Sequence, residues 1–171
     1  MTNDSRKHQA AKENTGPELL EAMIRQRVRE TIEAVVEEEL TEALGAARSA
    51  RVDGVRRGYR HGTRERTLTT GVGPTAIQIP RARVVDATGR RAEWRSQVIP
   101  RYQRRTVRVD EAILGVYLSG ANSRRIRGAL APLLQGGPLS KDAVSRLVGR
   151  LKTDFEQWRA RDLADVAIRY V

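Results

Sequence analysis

Four side chains near the start of one helical segment have the types and spacing to read the edges of base pairs: Ser140, Lys141, Ser145 and Arg146. A guanidinium can donate as a fork to O6 and N7 of guanine, worth about 1–3 kcal/mol of discrimination per good pair. Serine and lysine in the N-terminal half of such a helix reach bases or phosphates. The same segment carries Val144, Leu147, Val148, Leu151, Phe155 and Trp158 at spacings of three and four, an apolar seam for packing. Arg150 and Lys152 extend its polar side, and Gly149 would let the backbone approach a duplex. A recognition helix needs this division, apolar toward its neighbours and cationic toward the groove. An ordinary three-helix bundle with a solvated basic face fits the same pattern.

A second set of side chains suits phosphate. Residues 51–108 hold 15 Arg and no Lys against 4 acidic residues, a net of +11, whereas residues 1–50 net −3 and residues 109–171 net +3. The formal +11 of the chain is therefore a local field. A GC-rich genome would explain 28 Arg against 4 Lys, but not why acidic residues thin out only in the middle. The candidates for phosphate contact are Arg56, Arg57, Arg60, Arg64, Arg66, Arg81, Arg83, Arg101, Arg104 and Arg105, with Arg124, Arg125 and Arg150 beyond the block.

Other chemistry has little support. Without cysteine, disulfides and thiolate zinc sites are excluded. His8 and His61 are far apart in polar surroundings, so no metal site is expected, and Glu37–Glu39 reads as a solvated helix face. No apolar run approaches a membrane span and no signal peptide is evident, so a soluble, cytoplasmic protein is expected, with neither a membrane nor a small molecule as partner.

The elements that would position these residues follow from periodicity. Residues 1–16 are polar and aperiodic and read as a disordered lead-in. From Pro17, Leu20, Ile24, Val28, Ile32, Val36, Leu40 and Leu44 recur every four residues, and Gly45 supplies a stop, which predicts a long packing or assembly helix within 17–46. A step of four drifts about 40° per repeat, so the stripe winds around the helix. The helix either folds back on its own chain or wraps a partner helix in a dimer.

Residues 47–108 read as an Arg-rich linker and a β-hairpin. The hairpin strands are 64–70 and 75–81, joined by Gly71-Val72-Gly73-Pro74, with Pro80 at an edge or strand end. Residues 82–107 read as irregular, with Trp94 as the plug that docks them or, alternatively, a stacking platform for a base. Residues 109–164 read as three short helices. The first has Ile113, Leu114, Tyr117 and Leu118 on one face and ends at Gly120. The second is capped by Asn122 or Ser123 and carries Ile126 through Leu134. The third opens at Ser140 after the turn Gly136-Gly137-Pro138. The expected fold is thus mainly α: a long helix, a small basic hairpin, a helix-turn-helix-like module and a C-terminal strand stub.

Seven segments add a family resemblance in collinear order. They are ELTEALG (39–45), RRGYRHGTRERTLTTGVG (56–73), IPRAR (79–83), IPRYQRR (99–105), VDEAILGVYLSGANSRRIRGAL (109–130), LSKDAVSRLVGRL (139–151) and WRARDL (158–163). With them the chain, from about residue 17 onward, resembles the N-terminal half of mutator-type bacterial insertion-sequence transposases. The resemblance implies a basic DNA-binding half followed by an RNase H-like domain with an Asp-Asp-Glu triad and two metal ions, Mg in the full-length parent. AIRYV (167–171) is similar to the first strand of that sheet, so 165–171 is expected to begin the catalytic domain. Asp154, Asp162 and Asp165 match no triad position, so this part should hold no catalytic residue and no cofactor, and should bind without cutting. The implied partners are double-stranded DNA at terminal inverted repeats and further copies of the chain. A free-standing dimeric helix-turn-helix regulator fits composition and charge equally well, and a ribosomal-type RNA binder is a third reading.

Overall fold

The computed structural model describes residues 16–46, 57–85 and 88–162. The four-residue apolar repeat forms one helix, α1, over Gly16–Leu44. It ends where Gly45 turns left-handed at φ 63° and the Ala46 N–H donates back to the Thr41 carbonyl. The winding stripe is divided along its length. Val36, Leu40 and Leu44 are buried against the chain's own sheet, while Leu19, Leu20 and Met23 are each more than half exposed. The C-terminal half of α1 therefore folds back on its own chain.

The fold is mixed α/β, which corrects the expectation of a mainly α chain with a small hairpin. The runs expected at 64–70 and 75–81 are parts of two strands of 13 residues each, β1 (Gly58–Thr70) and β2 (Gly73–Val85). A short third strand, β3 (Arg91–Glu93), completes an antiparallel sheet in the order β1-β2-β3. The sheet thus takes in the end of the expected linker and part of the segment expected to be irregular.

Glycines among cations look like a linker, but two of them have strand roles. Gly58 lies where a Cβ would meet the Arg83 carbonyl oxygen at 2.1 Å and the Leu44 side chain at 2.8 Å. Gly62, at φ 101°, lies in the irregularity between Arg60 and Thr63, where β1 bulges against β2. Pro80 is inside β2, paired with Thr63 beside that bulge, and not at the strand's end. β3 reaches only Arg83–Val85, so the other side of β2 is open near Pro80. Gln78 donates its N–H to Glu33 on that side at 2.7 Å; Pro80, two residues on, has no N–H to leave unpaired.

Two apolar clusters join α1 to the sheet. One gathers Val36, Leu68, Ile77, Ile79 and Ile99; the other gathers Leu40, Leu44 and Ala82. Trp94 packs against both, as the docking plug it was read to be.

The expected three helices are four: α2 (Val107–Leu118), α3 (Ser123–Ala129), α4 (Ala131–Leu134) and α5 (Lys141–Arg159). The second apolar stripe breaks at Leu130 because Pro132, in the first turn of α4, has no N–H with which to continue the hydrogen-bond ladder of α3. Caps set the other boundaries. Gly120 ends α2 at φ 90°, and the Asn122 side chain accepts from the Arg124 and Arg125 amides at the start of α3. Val109, Ile113, Ile126, Leu134, Leu139, Val144 and Leu147 form the core of this module.

The module is fastened to the sheet at two points. At the hairpin tip, Arg25 of α1 donates to the Val72 carbonyl and to Gln135 at the end of α4, both at 3.4 Å. At the end of β1, Thr69 donates its N–H to the Arg104 carbonyl and accepts from the Thr106 N–H. Residues 1–15 of the expected lead-in, Arg56 and the 165–171 stub lie outside the described residues. Among the described residues no helix is long and apolar enough to cross a membrane.

Candidate nucleic-acid interface

The acidic residues of α1 hold the basic hairpin in place. Glu37 accepts from Arg60 Nη2 at 2.6 Å, and Glu39 accepts from the Ser96 hydroxyl and the Gln97 N–H, both at 2.5 Å. The Ser96 hydroxyl in turn accepts from the Ile99 N–H at 3.0 Å. With Glu33 on Gln78, three carboxylates of one helix are clamps for the sheet and for the 94–99 segment. The reading of Glu37–Glu39 as solvated face missed this, because nothing local in the sequence reports a partner some 57 residues away.

These clamps leave a cationic cleft of about 350 Å³ between the hairpin and the segment after β3. Arg64, Arg66, Arg81, Arg95 and Arg101 line it above a floor of Ile79, Pro80, Trp94 and Ile99. Among the described residues its one carboxylate, Glu93, is 3.5 Å from Arg81. Arg66 is fixed from within, donating to the carbonyls of Ile99, Pro100 and Gln103. Burial, with the positive charges of Arg64 and Arg104, holds its guanidinium below the usual range of an arginine. Five arginines against one carboxylate leave an excess of positive charge that favours an anion between them.

The second cationic surface is the outer face of α5. Lys141, Ser145, Arg146, Arg150 and Lys152 are exposed, while Val144 and Leu147 on the opposite side are buried. Ser140 caps the helix, its side-chain oxygen accepting from the Ala143 N–H at 3.1 Å. Arg127 donates to the Leu139 carbonyl at 2.8 Å and so ties α3 to the turn that launches α5.

The arginines expected at phosphates fall into two groups. Arg57, Arg64, Arg81, Arg83, Arg101, Arg104, Arg124 and Arg125 have exposed positions. Arg60, Arg66 and Arg105 are turned into the protein: Arg60 on Glu37 and Thr41, Arg66 on three carbonyls, and Arg105 on Asp110 at 2.6 Å. Arg150 is exposed but lies 3.3 Å from the same Asp110. Sequence reasoning did not single out Arg95. Its membership of the Arg block was the available signal, and only the fold brings it beside Arg64 and Arg101.

Comparison with known proteins places this arrangement. The family described as "Transposase, Mutator family" matches residues 1–171. The chain belongs to the Mutator family of transposases. Among curated relatives, the transposase for insertion sequence element IS256 in transposon Tn4001 of Staphylococcus aureus is 29% identical over 116 residues, 68% of this chain and 28% of the relative. The transposase for insertion sequence element ISRM3 of Rhizobium meliloti is 29% identical over 113 residues, 66% of this chain and 26% of the relative. A probable transposase for an ISRM3-like element of Sinorhizobium fredii matches to the same extent. This Mutator-family chain thus spans little more than a quarter of the length of the relatives it matches.

Proposed function

We propose that this chain is the DNA-binding part of a transposase and recognises the terminal inverted repeats of its own insertion element. The observation that carries the reading is α5, whose buried Val144 and Leu147 hold it against the module while Lys141, Ser145 and Arg146 face outward at its N-terminal half. Those three residues read bases, and Ser140 fixes where the helix begins. Phosphates are gripped by the exposed arginines of the hairpin and the 101–104 segment, and by Arg124 and Arg125 at the start of α3. Family membership supports DNA as the partner, and the charge of the block supports the phosphate grip.

Cutting and joining of strands by the whole protein would need carboxylates converging on divalent metal, Mg in the full-length parent. Among the described residues no group of three His, Cys, Asp or Glu side chains could hold a metal ion, so no step of that chemistry is assigned to them. We assign assembly to the N-terminal half of α1. It offers Leu19, Leu20 and Met23 to a second copy, as bringing two element ends together requires. Nuclease footprinting on the ends of the element tests the function. Protection should fall within the inverted repeats and vanish when their sequence is shuffled. Equal protection of both would refute recognition of the repeats.

A further inference from the structure

The arginine-lined cleft has more than phosphate chemistry. Its rim is cationic, but its floor is apolar and aromatic: Ile79, Pro80, Ile99 and Trp94. A phosphate in a duplex backbone would meet the rim alone and leave that floor wet, because the attached base stays in its stack. At about 350 Å³ the cleft is near the small end of the range for ligand pockets, roughly 300–1,000 Å³, suited to a single compact group.

Trp94 is also held firmly. Its backbone N–H donates to the Ala82 carbonyl at 2.8 Å and its side chain packs against both apolar clusters joining α1 to the sheet. A wall fixed in advance loses little entropy when a ring is placed against it.

We propose that this cleft seats one unpaired nucleotide of a DNA strand, with its phosphate on Arg64, Arg95 and Arg101 and its base against Trp94. The proposal rests on the DNA-binding reading above and adds to it a preference for distorted or frayed DNA. Lifting a base from its stack is costly in an intact duplex and cheap where the base is already unpaired, so the preference shows most clearly on DNA that carries such a base.

The test compares the full chain on two DNAs by fluorescence anisotropy: a fully paired duplex, and the same duplex with one unpaired nucleotide. The second should bind about tenfold more tightly, the scale of one base stacked on an aromatic side chain. Arg64→Ala with Arg95→Ala should bring the ratio of the two affinities close to one, with circular dichroism confirming that the variant is folded. In a Trp158→Phe background, where Trp94 is the remaining tryptophan, fluorescence should be quenched by the DNA with the unpaired nucleotide and not by the paired duplex. A wild-type ratio near one, with both DNAs bound, would overturn the cleft's assignment and leave DNA binding standing. A tenfold ratio that survives the arginine substitutions would also overturn it. Failure to bind either DNA would defeat the functional reading and this inference together.

Discussion

Asp110 of α2 accepts from Arg105 at 2.6 Å and from Arg150 at 3.3 Å, so one carboxylate joins the segment between β3 and α2 to α5. Arg105 is 15% exposed and Arg150 68%, which makes the first pair the structural one and the second a weak surface contact. Asp110→Asn should cost about 1 kcal/mol of stability by chemical denaturation, because it leaves Arg105 partly buried without its counter-charge. The same change should tighten binding to random DNA, since it frees two cations. A variant that is less stable and also binds random DNA more weakly would count against this division.

At α5, Arg146→Ala should relax sequence preference more than it weakens random-DNA binding, whereas Arg64→Ala should weaken specific and random binding alike and leave the preference unchanged. Equal effects from the two substitutions would contradict their assigned roles. Residue types were legible in the sequence: the excess of arginine in one block could be counted there. Which arginines point inward was not, because Arg60, Arg66 and Arg105 differ from their neighbours only in partners that folding brings to them.

α1 and the hairpin depend on each other through a buried seam and two carboxylate clamps, and a third clamp, Glu39, holds the segment after β3. Leu40 is fully buried, and Leu40→Ala should cost about 2–5 kcal/mol, read from the denaturation midpoint, as in other cores where a large side chain is truncated. Glu39→Ala sets charge against architecture. Removing an acid from a basic protein should by electrostatics alone improve DNA binding. By the present account it weakens binding, because the segment from Ser96 to Ile99 loses its anchor and the cleft loses a wall. Tighter binding by the variant would show that Glu39 does not shape the interface.

Elements with local punctuation were the legible ones. Gly45, Gly120, Asn122 and Ser140 end or open helices where the sequence indicates. The sheet was underestimated because β1 is rich in arginine and glycine and lacks the apolar alternation by which strands are recognised, while β2 shows it only around Ile77 and Ile79. Their burial comes from α1 on one face and shows only once Leu68, Ile77 and Ile79 are seen together. The split of the second apolar stripe was legible in retrospect at Pro132, whose missing N–H outweighs the continuous apolar pattern.

At the scale of the whole molecule, a basic sheet and a helical module are fixed to each other at the hairpin tip and at Thr69, with cationic surface on each. The N-terminal half of α1 keeps Leu19, Leu20 and Met23 exposed, and the expected result by sedimentation is a dimer that Leu20→Glu with Met23→Glu converts to a monomer without loss of helix. A wild-type monomer at all concentrations would remove assembly from this helix. On the proposed reading many of these arginines neutralise DNA phosphates together, and the salt dependence of duplex affinity reads that neutralisation. If six to ten phosphates are engaged, affinity should fall about 10³–10⁵-fold between 50 and 200 mM salt, and the slope should drop by about one for each of Arg64→Ala and Arg101→Ala. An affinity that barely changes across that range would contradict the claim.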